Sequence, residues 1–78
     1  MIKIQFDFVG TLKFEGYKSG QVIEIEDNIS ISEFLNNLGM SKEKQKYIVA
    51  VVNGKDAKLD YKLKNNDKLS LFLPIGGG

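Results

Sequence analysis

The stretch Ile29-Ser30-Ile31-Ser32-Glu33-Phe34 decides the fold, because it carries the signals that begin a helix. Ser30 suits the N-cap position, and Glu33 three residues later completes a capping box. Ile29, just before the cap, can pack on Phe34 as a hydrophobic staple. The apolar residues recur at helical spacing and form one stripe: Ile31, Phe34, Leu35 and Leu38. We therefore predict one short helix whose stripe packs on a sheet.

Alternating residues before this helix predict two strands. Apolar residues at positions 2, 4, 6 and 8 alternate with polar ones, the pattern of a half-buried strand. Residues 21–26 predict a second strand, in which Val22 competes with Ile23 or Ile25 for the core face. Residues 11–15 alternate more weakly and form either a short strand or a structured loop. We expect the two longer strands to pair in antiparallel fashion.

The chain after the helix changes character three times. Gly39 ends the helix at the C′ position, and residues 41–46 are polar, with room for one helical turn. Residues 47–52 form an apolar run, which predicts a strand buried on both faces at the sheet centre. Asn53-Gly54 predicts a tight turn. In the polar stretch 55–67 we expect three inward anchors, Leu59, Tyr61 and Leu63, and a left-handed turn near Asn66.

The last strand completes the predicted architecture. Within residues 68–73, one side carries Leu69, Leu71 and Leu73, and the other carries Ser70 and Phe72. The element order predicts an α+β fold, a mixed four- to five-stranded sheet with one main helix on one face. The first and last strands should lie side by side in the middle. Residues 1–73 would form this domain, and residues 74–78 a flexible tail.

Composition excludes several classes of function. The 78 residues allow one domain with a small core, and they include no cysteine, histidine or tryptophan. Without His or Cys the chain lacks the usual general base, the commonest metal ligand and every Cys/His or Ser/His catalytic arrangement. We therefore predict that the chain is not an enzyme, and that it binds no metal or cofactor.

Charge and hydropathy bear on the partners. All eleven basic residues are lysine, which argues against nucleic-acid recognition because bidentate contacts depend on arginine. Residues 41–78 hold eight lysines against four acids, a surface that is either merely solvated or steers an acidic partner. No apolar run has the length of a signal peptide or a membrane span. We expect a cytoplasmic protein that is a monomer when free.

The C-terminal residues Leu71-Phe72-Leu73-Pro74-Ile75-Gly76-Gly77-Gly78 combine a strand, a stop and a flexible lead. Proline fixes its own φ and cannot continue a strand ladder. Gly76 and Gly77 lack a Cβ, so they could thread a channel too narrow for any side chain. The carboxylate of Gly78 is then the candidate reactive group. The alternative is that these glycines are an ordinary frayed end.

These segments resemble the ubiquitin-like β-grasp sulfur carriers, the family of the molybdopterin-synthase small subunit (MoaD) and the thiamine-pathway carrier (ThiS). The likeness rests on four stretches in the family's order: residues 30–39, 49–54, 63–69 and 71–78. It implies a β-grasp fold and a carrier that is acted on by other proteins. It covers most of residues 21–78.

The resemblance also implies a mechanism and partners. An E1-like enzyme of the MoeB/ThiF type would use ATP to adenylate the Gly78 carboxylate, and sulfur would then replace oxygen to give a thiocarboxylate. The sulfur acceptor would be a protein such as the molybdopterin-synthase large subunit or thiazole synthase. By the same analogy Phe72, Pro74 and Ile75 would contact the partner. For Phe72, packing under the helix is an equal alternative.

Three functions remain open from the sequence. The first is a sulfur carrier, for either the molybdopterin or the thiamine pathway. The second is a ubiquitin-like protein modifier joined through Gly78 to lysines of target proteins. The third is an interaction module whose tail takes no part in chemistry. The first two require an E1-like partner, and the third does not.

Overall fold

The computed structural model describes residues 1–10 and 12–74. Its elements are β1 (Ile2–Phe8), β2 (Gln21–Ile25), α1 (Ile31–Asn37), α2 (Lys42–Gln45), β3 (Val49–Val52), β4 (Lys55–Ala57) and β5 (Lys68–Phe72). The strands form a five-stranded sheet in the order β2-β1-β5-β3-β4. β1 and β5 are parallel, and the other neighbouring pairs are antiparallel. The predicted α+β class and mixed sheet are confirmed.

The middle of the sheet is β5 and not β3. The first and last strands do lie side by side, as predicted, but the placement of residues 47–52 at the sheet centre is wrong. Tyr47 precedes β3 and is 68% exposed, and Val49 and Val51 are only half-buried. Within β3, Ala50 and Val52 are the buried residues of the core, and Ile48, just before the strand, packs against it. The sequence suggested burial on both faces because valines also occupy the face of β3 that points away from the helix.

The core lies between α1 and one face of the sheet. The Phe34 ring of α1 meets the Phe6 ring of β1 edge to face, with centroids 5.2 Å apart. Strands β1, β3 and β5 contribute the facing side chains, all buried: Ile4, Phe6, Ala50, Val52, Leu69 and Leu71. The predicted apolar stripe of the helix is confirmed as core, with Ile31, Phe34 and Leu35 buried and Leu38 packed against them.

Both ends of α1 follow the sequence signals. The Ser30 hydroxyl accepts from the Glu33 backbone N–H at 3.1 Å, and the Glu33 carboxylate accepts from the Ser30 N–H at 3.0 Å, which completes the capping box. The helix ends at Asn37. Gly39 adopts φ +90°, where a Cβ would be strained, and donates to the Asn36 carbonyl at 2.9 Å. Met40 donates to Leu35 at 3.0 Å, so the helix ends in a Schellman motif.

The segment between β1 and β2 is a structured loop where it is described. Residues 12–15 form no strand, and residue 11 lies outside the described residues. Phe14 is buried, and its ring lies 5.3 Å from Phe6 and 5.1 Å from Phe8. In β2, Ile25 is buried and Ile23 packs on the core, whereas Val22 is 61% exposed. The core face of β2 therefore carries Ile23 and Ile25, and Val22 lies on the other face.

The turn predictions after β3 are confirmed. Asn53 and Gly54 have φ values of +54° and +84°, as a tight hairpin turn requires, and they join β3 to the short strand β4. Asn66 adopts φ +73° in the turn before β5. Leu63 is buried, and Leu59 and Tyr61 pack against the core. The possible helical turn in residues 41–46 is present as α2.

Candidate functional site

The strand that leads to the C-terminal tail is held on both sides. β5 pairs with β1, where Leu71 lies opposite Phe8, and with β3, where Phe72 lies opposite Val49. The Val9 backbone N–H also donates to the Leu71 carbonyl at 3.2 Å. The tail therefore leaves the sheet from its central strand, which neighbours restrain up to the strand's last residue.

The strand stops just before the proline. β5 ends at Phe72, one residue earlier than predicted, and Leu73 and Pro74 have no regular structure. Leu73 is half-buried and Pro74 is exposed. Ile75, Gly76, Gly77 and Gly78 lie outside the described residues, so their predicted roles stay predictions.

Phe72 lies on the face of the sheet opposite α1. Its neighbours in the strand, Leu69 and Leu71, are fully buried under the helix, and Phe72 alternates with them. It is half-buried and is not packed against the core. The cross-strand partner Val49 and the next outward residue of β3, Val51, are half-buried on the same face. We call Val49, Val51 and Phe72 the open-face patch; the packing of Phe72 under the helix is excluded.

A buried carboxylate fixes the loop that precedes β5. Asp67 is 6% exposed and accepts three hydrogen bonds of 2.9 Å, from the Asn53 side-chain amide, the Tyr61 hydroxyl and the Lys64 backbone N–H. Asn53 in turn accepts from the Lys68 N–H at 2.9 Å. Desolvation, together with the bond to Asp67, raises the pKa of Tyr61 above its usual value. This network ties the first residue of β5 to the β3–β4 turn.

A groove opens beside the tail, on the helix side of the sheet. It has a volume of about 510 Å³. Its lining comes from the loop after β1, the α1–α2 region, the connection between α2 and β3, and the residue after β5: Leu12, Lys13, Met40, Lys44, Tyr47, Ile48 and Leu73. We call it the tail-base groove. The sequence did not indicate it, because its residues come from four separate segments. The exposed aromatic Tyr47, assigned to a strand, was the available signal.

One buried glutamine holds the wall of this groove. Gln45 of α2 is 2% exposed and accepts from the Ser32 hydroxyl at 2.7 Å. It donates to the Asn36 side chain at 2.7 Å and to the Met40 carbonyl at 3.0 Å. These bonds hold α2 against α1. They therefore fix the backbone that carries Lys44 and Tyr47.

Residues 1–10 and 12–74 contain no group of three or more acidic, histidine or cysteine side chains that could hold a metal ion. Within the same part of the chain, no helix is long and apolar enough to cross a membrane.

Solved structures share this fold over nearly the whole chain. A protein of Pyrococcus furiosus, provisionally assigned as molybdopterin converting factor, subunit 1, is similar with a TM-score of 0.72 and 18% identity, covering 96% of this chain and 100% of its own. SAMP1 of Haloferax volcanii is similar with a TM-score of 0.70 and 19% identity, covering 97% and 99%. A second structure, of H. volcanii small archaeal modifier protein 1, gives 0.72 and 17%, covering 96% and 100%.

Sequence comparison extends this likeness beyond the fold. No curated protein has a significant match to the sequence. The ThiS family, in contrast, matches residues 10–78, a range that includes the loop after β1, both helices, β2 to β5 and the glycine tail. The predicted resemblance and the β-grasp architecture are confirmed. The chain therefore belongs to the ThiS family of ubiquitin-like β-grasp proteins.

Proposed function

We propose that the chain is a sulfur carrier whose Gly78 carboxylate is adenylated by an E1-like enzyme and then converted to a thiocarboxylate. The observation that carries this proposal is the ThiS family match over residues 10–78, because it extends through Pro74 and the three glycines. In a carrier of this kind the chain is the substrate of other enzymes and catalyses nothing itself. Its thiocarboxylate would donate sulfur in molybdopterin or thiamine biosynthesis.

The proposed chemistry proceeds in three steps. A carboxylate with a pKa near 3.5 is an anion at neutral pH and resists nucleophiles. A Gly78 carboxylate oxygen attacks the α-phosphorus of ATP, and pyrophosphate leaves with the bonding electrons. The terminal sulfur of a donor protein's persulfide then attacks the acyl carbon, AMP leaves with the oxygen that was activated, and an acyl disulfide results. A thiol then attacks the donor's sulfur atom in this acyl disulfide, which releases the Gly78 thiocarboxylate and leaves the two thiol sulfurs oxidised as a disulfide. ATP is bound by the enzyme, and the carrier needs no cofactor of its own.

The fold supports this role through the position of the strand that precedes the tail. β5 lies in the middle of the sheet and is restrained up to Phe72, so the tail has a stiff base. Ordering the tail in a partner's channel costs about 1–2 kcal/mol per residue, so apolar contacts near its base are needed to offset this cost. The open-face patch and Pro74-Ile75 supply such contacts in our proposal. The acceptor would be a protein such as the molybdopterin-synthase large subunit or thiazole synthase, in the cytoplasm.

Removal of Gly78 tests the proposal. The shortened protein should keep the fold, because residue 78 lies beyond every strand and helix of the described residues. It should fail to support ATP–pyrophosphate exchange by its E1-like enzyme. A full-length protein with a C-terminal amide is the matched control, since it keeps the length and lacks the reacting oxygen; it should fail as well. Adenylate formation at the normal rate by either protein contradicts the proposal.

A protein modifier is the second candidate function, favoured by the structural similarity to small archaeal modifier protein 1. In that case the activated Gly78 would form isopeptide bonds with lysines of target proteins. Expression in the native cell separates the two functions. Sulfur in place of one oxygen in the intact mass supports the carrier, whereas ladders of conjugates that disappear on removal of Gly78 support the modifier.

A further inference from the structure

The tail-base groove has an apolar floor that the protein's own core leaves uncovered. Leu12, Met40 and Ile48 pack against the core from one side and line the groove with the other. Leu73 is half-buried in the groove but is not packed against the core. Tyr47 stands at the groove with 68% of its surface exposed. The groove could therefore bury an apolar side chain of another molecule.

The rim of the groove is positively charged. Lys13 and Lys44 line it, and none of the other described residues that line it is acidic. Neither lysine has a carboxylate within 4.0 Å among the described residues, whereas the neighbouring Lys46 pairs with Glu43 at 3.6 Å. The rim suits carboxylates that flank the apolar side chain. Such complementarity mainly sets association rate and specificity.

The position of Leu73 connects the groove to the chemistry at the tail. Leu73 lines the groove, and five residues separate it from the end of Gly78. Five extended residues span at most about 18 Å. An enzyme that holds the Gly78 carboxylate in its active site must therefore present a surface to this end of the sheet. The open-face patch lies on one side of β5 at this end, and the tail-base groove lies on the other.

We infer that the tail-base groove is a second docking site for the activating enzyme, and that it takes an acidic segment carrying one large apolar side chain. The inference rests on the function proposed above. Contacts on both faces of the sheet would fix how the whole carrier is rotated about the axis of β5 relative to the enzyme, which a contact on the open face alone leaves free. That rotation sets the direction in which the tail enters the active site.

The test measures ATP–pyrophosphate exchange by the purified E1-like enzyme of the same organism at increasing carrier concentration. The variant K13E/K44E reverses the charge of the rim. We expect its half-saturating concentration to rise about tenfold or more at low ionic strength, and the difference to shrink at high salt. Y47S should raise the half-saturating concentration by roughly three- to tenfold at any salt concentration, because the contact that Tyr47 makes is apolar.

The matched control is K55E/K64E, which makes the same change in net charge at exposed lysines. Lys55 begins β4 opposite Val52, and Lys64 lies in the loop before β5, so both are at the end of the sheet remote from the tail. We expect the control to behave like the wild type. Equal effects of the two double variants, or no effect of K13E/K44E, would overturn the inference while wild-type exchange leaves the proposed function standing. No exchange with the wild type would overturn both.

Two further measurements exclude other occupants. Sedimentation of the free wild-type protein should show a monomer, and a dimer that K13E/K44E dissolves would make a second copy the occupant. Amide NMR signals of Leu12, Lys44 and Ile48 should be unchanged when Gly76–Gly78 are removed. Large shifts at these positions would make the chain's own tail the occupant and contradict the inference.

Discussion

Substitution of Asp67 by alanine should destabilise this domain more than any single change on its surface. The Asp67 carboxylate accepts from the Tyr61 hydroxyl, the Lys64 N–H and the Asn53 amide, each at 2.9 Å. Alanine removes all three acceptors at once. The Lys64 N–H and the Tyr61 hydroxyl lose partners in a site from which water is largely excluded, because Asp67 is almost fully buried.

The magnitude follows from the number and type of these bonds. A hydrogen bond to a charged group contributes about 1.5–3 kcal/mol, but the three are not additive, because exposed Asn53 can turn to water. We therefore expect Asp67→Ala to lower the free energy of unfolding by about 3 kcal/mol. A chain of this size is stable by roughly 4–12 kcal/mol in total. The melting temperature should fall by about 12–24 °C, at roughly 4–8 °C per kcal/mol.

Urea unfolding followed by far-ultraviolet circular dichroism measures this loss. Asp60→Ala is the control, since Asp60 is exposed and makes no ion pair with a described residue. Tyr61→Phe, which removes one of the three bonds, should cost about 1 kcal/mol. If Asp67→Ala and Asp60→Ala agree within about 0.5 kcal/mol, the Asp67 network does not hold the loop, and the reasoning is refuted.

Three further predictions test other parts of the structure. Phe72→Ser should leave the melting temperature within a few degrees of wild type but raise the carrier concentration needed for adenylation. Leu71→Ala, in contrast, should lower the melting temperature strongly. Equal losses of melting temperature in the two variants would place Phe72 in the core. Gly39→Ala should cost about 1 kcal/mol because φ is +90°, and no loss on thermal unfolding would contradict the Schellman geometry. The Ser30 backbone N–H, with smaller contributions from the Ser30 side chain and a nearby lysine, lowers the pKa of Glu33. Its stabilisation is therefore present above about pH 4.5 and lost at lower pH, and Glu33→Gln should flatten the acid limb of a pH–stability curve; an unchanged limb would show that the capping box contributes nothing to it.

Local signals in the sequence predicted the elements whose causes are local. The capping box at Ser30, the Gly39 stop and the Asn53-Gly54 turn depend on residues a few positions apart, and all three are present in the structure. The alternation in residues 68–73 separated Leu69 and Leu71 from Phe72, but it left open which side faces the core, and the structure assigns Leu69 and Leu71 to the core. Each of these features depends on residues within one helical turn, one tight turn or one strand, so the sequence of that segment is enough to predict it.

The errors and omissions concern contacts between distant segments. The apolar run of β3 predicts a strand buried on both faces, but Val49 and Val51 face away from the helix and are only half-buried. The burial of Gln45 depends on acceptors and donors that α1 provides, and nothing in a lysine-rich stretch indicates it. The tail-base groove was missed for the same reason. Such features become visible only when the topology has brought separate segments together.

The central claim is that the Gly78 carboxylate is the reacting group. Accurate mass of the protein isolated from its own cell, combined with fragmentation of the C-terminal peptide, tests this claim most directly. The account predicts a population in which sulfur replaces one oxygen, with the change confined to Gly78. A fully oxygenated C-terminus in cells that are actively making the sulfur-containing product, with no conjugates at Gly78, would contradict it.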